Sequence, residues 1–331
     1  MTTTLSLGDL TRLVADAFQR ADVGPAQAAS VAAALVAAEA SGQGGHGLRR
    51  IAAYSAQAKV KKVDGHAQPV IEMARSAVMR VDAADGFAYP AFDLAIERAA
   101  EVVAETGTVA IGVRNSHHAG VLGLTVERFA EKGLVALMMA NAPSAMAAWG
   151  GTKGVFGTNP VAFAAPLPGT DPVVVDLSLS KVARGKVMAA KQKGVSIPEG
   201  WALDRNGNPT TDTDEALAGT MVPVGDAKGA ALALMVEMMA AGLTGAQFAS
   251  EASSLFDDKG GPPRLGQFIL VIDPKAIGGE TALQRLGTLA AMIGEEPGVR
   301  LPGRRGIEAR RRAADEGIAI DDDVMEMIEG A

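Results

Sequence analysis

The sequence contains no cysteine, and this absence excludes several kinds of chemistry at once. Disulfide scaffolds, thiolate zinc sites and thiol nucleophiles all depend on that side chain. Histidine is also scarce, and the four residues of this type are His46, His66, His117 and His118. Because no two of them have the H-x-x-x-H or H-E-x-x-H spacing of a zinc site, we expect no dedicated metal site.

Aromatic side chains make up only 4% of the 331 residues, so the core must consist mainly of Ala, Val, Leu and Met. The net charge of -7 argues against binding to nucleic acid, which needs a basic face. The segment MTTTLSLGDLTRL lacks the basic start and apolar core of a signal peptide, and no run reaches the roughly 18 apolar residues of a membrane span. We therefore expect a cytoplasmic protein that binds a small molecule, with neither a nucleic-acid nor a membrane partner.

The stretch GQGGHG, Gly42 to Gly47, fits the G-x-G-x-x-G pattern of a dinucleotide-binding loop. Such a loop follows a β-strand and precedes a helix, because the pyrophosphate binds at the helix N-terminus. The preceding segment, Pro25 to Ser41, instead has the proline start and Ala-rich composition of a helix. Gly42 is then expected to end that helix, so the pattern does not indicate a Rossmann fold and His46 needs another explanation.

The periodicity of the sequence changes twice along the chain. Residues 6 to about 62 have the apolar spacing of three helices. The middle of the chain alternates between β-branched runs, such as TVAIGVRNS and GQFILVIDP, and helical segments such as DLAIERAAEVVAETG. From about Gly278 the helical pattern returns, in charge-rich segments that could pack on the N-terminal helices. The sequence predicts an α/β fold with a mixed-sheet domain at 73–277 and a helical domain formed by 1–72 with 278–331.

Two groups of residues could carry chemistry. His46, Arg50 and Tyr54 are four apart, so a helix starting near Gly47 would place them on one face. Spacing alone favours an exposed polar stripe with Tyr54 half buried. The alternative is a binding site, because arginine binds carboxylates, tyrosine adds a hydroxyl hydrogen bond and histidine exchanges a proton near neutral pH. The second group is NSHHAG, which follows a predicted strand, and strand ends are where ligands collect in α/β sheets. One interpretation is that a histidine of this segment acts as a general acid or base. The other is that both histidines are ordinary residues of a surface loop.

Several loops rich in glycine and small residues could hold a phosphate without a Rossmann unit. They are GGTKGVFGTNPVAF, DLSLSKVARGK and PVGDAKGAAL, which offer backbone N–H groups, hydroxyls and cations. None of them is specific by itself, and Lys228 is followed by Gly229 rather than the Ser or Thr of a nucleotide triphosphatase loop.

Taken together and in this order, GHGLRRIAAY, NSHHAG, GTNPVAFAAP, DLSLSKVARGK and GDAKGAALALMVEMM resemble the type-2 malate/L-lactate dehydrogenase family over nearly the whole chain. The resemblance implies a non-Rossmann α/β fold, a homodimer, and NAD or NADP as the cofactor. It implies that Gly45, Arg50 and Tyr54 lie at the substrate and that His118 and His46 are catalytic. The cofactor-binding positions it implies are His46, Thr158, Asn159, Asp176, Ser178, Lys228 and Arg304.

The resemblance implies hydride transfer between the nicotinamide and C2 of a small 2-oxo acid, 2-hydroxy acid or cyclic imino acid. In this interpretation Arg50 binds the carboxylate, Tyr54 orients it, His118 moves the proton and His46 bridges cofactor and substrate, while the choice of acid between the two histidines stays open. Gly45 departs from the family, which has serine there. The lost hydroxyl and the added space favour a cyclic imine such as Δ1-pyrroline-2-carboxylate or Δ1-piperideine-2-carboxylate. A non-catalytic binding or regulatory protein on the same fold is the alternative from another class.

Overall fold

The computed structural model describes residues 2–331, and a seven-stranded sheet forms its centre. The strand order is β2-β3-β4-β13-β5-β8-β9, and every neighbouring pair is antiparallel except β3 and β4. The strands of the chain are β1 (Thr2–Leu5), β2 (Val70–Arg75), β3 (Val78–Asp82), β4 (Thr108–Ser116), β5 (Val135–Ala140), β6 (Met146–Ala147), β7 (Gly154–Phe156), β8 (Val161–Leu167), β9 (Thr170–Leu177), β10 (Ala202–Leu203), β11 (Pro209–Thr210), β12 (Thr220–Met221), β13 (Leu265–Ile272) and β14 (Ile318–Asp321). A Rossmann fold has a mainly parallel sheet, so this mixed sheet confirms the predicted fold class.

The α-helices are α1 (Leu7–Arg20), α2 (Pro25–Ala40), α3 (Ile51–Lys59), α4 (Ala88–Thr106), α5 (Leu122–Glu131), α6 (Arg184–Gln192), α7 (Thr213–Ala218), α8 (Ala227–Glu237), α9 (Pro274–Gly278), α10 (Thr281–Gly294), α11 (Arg304–Glu316) and α12 (Asp322–Glu329). Short 3-10 helices cover Gly44–His46 and Leu48–Arg50, and a π-helical turn, Met238–Gly242, follows α8.

Local sequence signals define the ends of α1 and α2, and that of α2 was predicted. Ser6 caps α1 by accepting a hydrogen bond from the Asp9 N–H at 3.1 Å. Gly42, with φ of 74°, ends α2: its N–H donates to the Glu39 carbonyl and the next N–H, of Gln43, donates to the Ala38 carbonyl. This paired pattern is a Schellman motif, which glycine favours because it adopts a left-handed backbone without strain. The glycine-rich stretch therefore begins at a helix C-terminus and is not a dinucleotide loop.

A main core packs α1 to α5 against the large sheet, and it consists mostly of Ala, Val, Leu and Ile with a few aromatic residues. A second core lies under a five-stranded sheet of order β11-β10-β12-β6-β7 and includes Met146, Phe156 and Val236. The two chain ends meet, because β1 pairs with β14 and α12 packs on α1. Residue 72 lies within β2, and the proposed division into two domains stays a prediction.

Among residues 2–331 no helix is both long and apolar enough to cross a membrane.

Candidate active site

His118 lies two residues beyond β4, in the connection to α5, and it is where the two predicted groups meet. The Tyr54 hydroxyl lies 2.5 Å from its Nδ1 atom. The His46 ring stacks on the His118 ring with a centroid distance of 5.5 Å and an interplanar angle of 27°. The end of β4 therefore brings His118 against residues that precede it by more than sixty positions in the sequence.

The predicted continuous helix through His46, Arg50 and Tyr54 is wrong. Two 3-10 turns precede α3, and Gly47 between them has φ of -97° and ψ of -134°. The Glu39 carboxylate accepts the N–H of Leu48 at 2.9 Å, and a Cβ atom on Gly47 would lie 2.3 Å from that carboxylate. This close contact fixes the turn, so His46 reaches His118 from a turn and not from the face of a helix.

Arg50 is half buried and only partly engaged. Its Nε–H donates to the Gly45 carbonyl at 2.8 Å, and its guanidinium lies 4.9 Å from the centre of the Phe256 ring. The terminal Nη groups have no hydrogen-bond partner among residues 2–331. A cation held in place with free donors is suited to bind a carboxylate.

Gly45 faces open space, since a Cβ atom at this position would meet no atom within 4 Å. Glycine in place of the family's serine therefore leaves open space beside His46 and Arg50.

The electrostatics keep the histidines of this cluster neutral at neutral pH. Burial, followed by the charge of Arg50, lowers the pKa of His46 to about 4. The same two causes hold the pKa of His118 well below its usual value. A carboxylate bound at Arg50 would offset the second cause, so we expect the pKa of His118 to rise when such a ligand binds.

His117, next to His118, has a structural environment. It is 1% exposed and its Nε2 lies 2.8 Å from the Gln57 Oε1 atom. Its ring packs edge-on against Tyr54 at a centroid distance of 5.1 Å. Burial lowers the pKa of His117 to about 3, and Lys62 adds to this effect.

Tyr54 is completely buried and its hydroxyl faces His118, so it does not border open space as an orienting group for a carboxylate would. Tyr89, which the sequence patterns did not single out, lies against Gly120, where a Cβ atom would be 2.4 Å from the Tyr89 hydroxyl oxygen. The only available signal was composition, because these are the two tyrosines of the chain.

A loop between the π-helical turn and β13 covers one side of the cluster and was also missed. It carries Phe256, which contacts Arg50. Hydrogen bonds from α3 and from the turn after it hold this loop in place. The Gln57 side chain donates to the Asp257 carbonyl at 2.9 Å, and the buried Lys62 ammonium donates to the carbonyls of Asp257 at 3.0 Å and Lys259 at 2.5 Å. No sequence pattern announces a loop contact between residues nearly two hundred positions apart.

Four of the predicted cofactor residues lie along one continuous strip. The Asp176 carboxylate accepts the N–H of Gly123 at 2.8 Å, which joins the end of β9 to the start of α5. The Thr158 carbonyl accepts the N–H of Leu179, just beyond Ser178, and the Leu179 carbonyl accepts the N–H of Val224, just before α8. Lys228, in the first turn of α8, is exposed.

Two further predicted cofactor residues, Asn159 and Arg304, have different surroundings. Asn159 is fully buried, with its amide donating to the Ala233 carbonyl at 2.9 Å and to the Glu237 carboxylate at 2.8 Å. Arg304 binds Asp171 and Thr170 at the start of β9. Asp176 is five to six residues further along that strand, which at about 3.3 Å per residue is roughly 16 to 20 Å away. The roles of both residues stay predictions.

The strip has the donors that a nicotinamide dinucleotide needs. Helix α8 has no side-chain cap at its N-terminus, where Lys228 is exposed and its own N–H donates to the Gly225 carbonyl. A Cβ atom on Gly229 would lie 1.9 Å from the Val224 carbonyl, so this turn requires glycine. A cation and an uncapped helix start fit the phosphates, and Ser178 and Thr158 offer hydroxyls to the rest of the cofactor.

The chain is similar to known proteins over nearly its whole length. The family described as malate/L-lactate dehydrogenase matches residues 5–329. A (2R)-3-sulfolactate dehydrogenase (NADP(+)) of Chromohalobacter salexigens is 49% identical over 98% of this chain and 97% of its own. A Delta(1)-pyrroline-2-carboxylate/Delta(1)-piperideine-2-carboxylate reductase of Pseudomonas putida is 38% identical over 94% of this chain and 92% of its own.

Among solved structures, the delta1-piperideine-2-carboxylate reductase of Pseudomonas syringae pv. tomato has a TM-score of 0.94. It is 36% identical in sequence, and the match covers 99% of each chain.

The fold and these similarities define a nicotinamide-dependent oxidoreductase of the non-Rossmann class. The chain belongs to the malate/L-lactate dehydrogenase family. It is an NAD(P)-dependent dehydrogenase or reductase acting at C2 of a small 2-oxo or 2-hydroxy acid or of a cyclic imino acid, rather than a non-catalytic binding protein.

Proposed function

We propose that this enzyme transfers hydride between NADP and C2 of a small 2-hydroxy or 2-oxo carboxylate, with (2R)-3-sulfolactate as the preferred substrate. The observation that carries the choice is the 49% identity, over almost the full length of both chains, to a (2R)-3-sulfolactate dehydrogenase (NADP(+)). The relatives named as cyclic imine reductases are 33% to 38% identical. A higher identity over the same length favours the same substrate.

In this proposal each side chain of the cluster has a separate role in the reaction at C2. When bound, the nicotinamide supplies or accepts the hydride. The free Nη groups of Arg50 bind the substrate carboxylate. Tyr54 occupies the Nδ1 atom of His118, which leaves Nε2 to exchange the proton with the C2 heteroatom. We therefore assign the acid and base role to His118, and place His46, stacked on its ring, between substrate and cofactor.

The strip from the start of α5 to the start of α8 holds the cofactor in this proposal. Lys228 and the uncapped start of α8 bind phosphate, while Thr158, Asp176 and Ser178 bind the nicotinamide half of the molecule. Asn159 supports Thr158 from the core through its bonds to the α8 backbone and Glu237. Arg304 contacts the far end of an extended cofactor.

A panel assay tests the proposal. The protein is mixed with NADPH or NADH and with 3-sulfopyruvate, oxaloacetate, pyruvate, Δ1-pyrroline-2-carboxylate or Δ1-piperideine-2-carboxylate, and the nicotinamide absorbance is followed. We expect the highest kcat/KM with NADPH and 3-sulfopyruvate. A higher kcat/KM for either imine than for every 2-oxo acid would reject sulfolactate in favour of the second candidate.

A cyclic imino acid is the second candidate because of Gly45. The open space at this position admits a rigid ring, and the missing hydroxyl weakens the hold on an open-chain acid. A protonated imine is already electrophilic and needs less help from a general acid than a ketone does.

The variant Gly45→Ser tests this second candidate and fits without a steric clash. If the imine is the substrate, the ratio of kcat/KM should shift toward open-chain 2-oxo acids. An unchanged ratio would show that Gly45 does not determine the choice of substrate.

We also propose that the enzyme is a cytoplasmic homodimer. Large apolar side chains are exposed on α8 and the following π-helical turn, namely Leu232, Leu234, Met235 and Met238, and on α10, namely Leu289, Met292 and Ile293. A second copy would remove such surfaces from water. Light scattering that gives the mass of a single 33.8 kDa chain would contradict the dimer.

A further inference from the structure

A buried carboxylate that the proposed reaction does not use lies at the end of α8. Glu237 is the last residue of this helix and is almost completely buried. The π-helical turn follows it directly, and such turns are rare and often occur at functional sites. Because a charged side chain is seldom buried without paired groups, the partners of Glu237 require explanation.

Three N–H donors surround the carboxylate of Glu237. Its Oε1 atom accepts the N–H of Ala249 at 2.6 Å and the side-chain amide of Asn141 at 3.2 Å. Its Oε2 atom accepts the side-chain amide of Asn159 at 2.8 Å. Burial raises the pKa of Glu237, and these donors oppose that effect. Since every partner donates, an ionised carboxylate, which only accepts, matches its surroundings.

The Oε2 atom of Glu237 is linked to the proposed cofactor strip through Asn159, the neighbour of Thr158. The backbone of Asn159 has a φ of 38°, which residues other than glycine rarely adopt. Its side-chain amide donates to Glu237 and to the Ala233 carbonyl, and its Oδ1 atom has no partner in the part of the chain that the structure describes. Loss of the bond to Glu237 would leave one bond to hold this side chain, so the position of Thr158 depends on Glu237.

The Oε1 atom of Glu237 is linked to the loop between the π-helical turn and β13. It accepts the N–H of Ala249, and Asn141 donates to the Gln247 carbonyl at 2.9 Å. Asn141 is itself attached to β13, because its Oδ1 atom accepts the N–H of Gly266 at 2.9 Å. Glu237 and Asn141 therefore hold the start of this loop against the large sheet.

Phe256 lies between two attachments of the same loop. Ala249 is bonded to Glu237 on one side, and the Asp257 carbonyl is bonded to the Lys62 ammonium on the other. The Phe256 ring contacts the guanidinium of Arg50. The place of this ring over Arg50 is thus determined by both attachments.

The two segments that meet at Glu237 also touch through their backbones. Gly157, just before Thr158, packs against Ala142, just after Asn141, and a Cβ atom on Gly157 would lie 2.2 Å from the Ala142 carbonyl oxygen. A shift of one segment therefore moves the other, because a closely packed interior leaves little free space between them.

We propose that Glu237 is a positioning residue that couples the cofactor to the substrate. It joins the Thr158 segment to the loop that places Phe256 against Arg50. The proposal rests on the proposed function, in which Thr158 binds the cofactor and Arg50 binds the substrate carboxylate. A cofactor at Thr158 restrains Asn159 and, through the shared carboxylate, the loop, so the guanidinium is held in place for the substrate. Each ligand then favours binding of the other.

The variant Glu237→Gln tests the coupling without changing the shape of the side chain. Its NH₂ group replaces one acceptor oxygen and cannot accept the N–H that it faces. Glu251→Gln is the matched control, because Glu251 is an exposed carboxylate of the same loop and accepts the N–H of Phe248 at 2.8 Å.

The coupling is measured as the ratio of the Kd for NADPH without and with oxamate, a carboxylate that serves as a non-reacting probe. In the wild-type protein and in Glu251→Gln we expect oxamate to lower the Kd for NADPH roughly fivefold or more. In Glu237→Gln the ratio should fall toward one, because the link between the two segments is broken. Equal ratios in the three proteins, or a ratio of one in the wild type, would overturn the proposal.

Hydrogen exchange on the wild-type protein provides a test if Glu237→Gln does not fold. Addition of NADP⁺ should slow exchange in the peptides that contain Ala249 and Phe256. Strand β2 is the internal control, because it lies at the opposite edge of the large sheet from β9. Exchange of the loop at the same rate with and without NADP⁺ would contradict the coupling.

This measurement separates the coupling from the proposed function. If the enzyme reduces no member of the substrate panel but NADP⁺ slows exchange of the loop, the proposed function fails and the coupling stands. If the panel identifies a substrate and the loop does not respond to NADP⁺, the coupling alone is wrong.

Discussion

His117 and His118 are neighbours in the chain but have opposite surroundings. His117 bonds to Gln57 inside the core, whereas His118 lies between Tyr54 and the ring of His46. His117 is therefore a residue of the core, whereas His118 lies in the cluster of predicted site residues.

At this scale the first prediction concerns His118→Ala. We expect the variant to fold, to bind NADPH, and to lose roughly 10²- to 10⁴-fold in kcat, the usual contribution of a positioned acid. His66→Ala is the control, because His66 is exposed and bonds to Asp22 at the surface. Full activity of His118→Ala would transfer the role to His46.

The second prediction concerns the guanidinium of Arg50. Arg50→Lys should raise the KM of the carboxylate substrate roughly 10-fold or more, because an ammonium cannot make the two-pronged contact. The neighbouring variant Arg49→Lys is a matched control, since Arg49 is exposed and pairs with Asp323 at 3.1 Å. Equal KM values for the two variants would return Arg50 to a surface role. Cofactor affinity, measured by NADPH fluorescence, should stay the same in both.

At the scale of elements, the loop that carries Phe256 is attached to the turn that follows α3. Lys62 has a completely buried side chain and bonds to two carbonyls of this loop, whereas Lys61 beside it is exposed and pairs with Asp22. Hydrogen bonds from a buried charge contribute more than an exposed ion pair does.

We therefore expect Lys62→Met to loosen the loop. Limited proteolysis should cut near Asp257 faster, and the substrate KM should rise because Phe256 no longer holds Arg50 in place. Lys61→Met should change neither. The loss of stability should be about 1–3 kcal/mol for Lys62→Met and close to zero for the control. Identical cleavage patterns in the two variants would disprove the attachment.

At the scale of the whole molecule, histidines with lowered pKa values make the free energy of unfolding depend on pH. The pKa of His46 is lowered to about 4 and that of His117 to about 3, from 6.5 in each case. Between about pH 6.5 and these values the unfolded chain binds more protons than the native one, so acid favours unfolding. The stabilisation is complete above about pH 6.5 and is lost as the pH falls toward 4.

Urea unfolding at a series of pH values tests this prediction. Each such histidine contributes a slope of at most about 1.4 kcal/mol per pH unit across that window. In His117→Gln one of these contributions is absent, so the free energy of unfolding should depend less steeply on pH than in the wild type. Parallel curves for the two proteins would show that His117 is not buried as a neutral ring.

Several strands of the large sheet could be predicted from the local alternation of residue types. The segment TVAIGVRNS forms β4 with the predicted bounds, because the buried β-branched residues Val109, Ile111 and Val113 alternate with half-exposed small residues along it. The glycine-rich stretch was also read correctly as a helix end, since proline at the start of α2 and Gly42 after it are local signals.

The strands that local pattern missed are those that depend on distant partners. β1 and β14 are four residues each and pair with one another from the two ends of the chain. Such short segments have too little periodicity to identify, and their hydrogen-bond partners are more than three hundred residues away. The turn at Gly47 was missed for a similar reason, because Glu39 fixes it through a side-chain contact.

The sequence by itself determined the absence of thiol chemistry, the α/β succession of elements, and the residues that carry the family resemblance. Only the tertiary structure decided that the Tyr54 hydroxyl lies against His118 and that the loop near Asp257 places Phe256 against Arg50. The physical reason is that composition and periodicity record the backbone and the burial of each segment, which are local properties. Hydrogen bonds between side chains from separate segments form only where packing of the whole core brings those segments together.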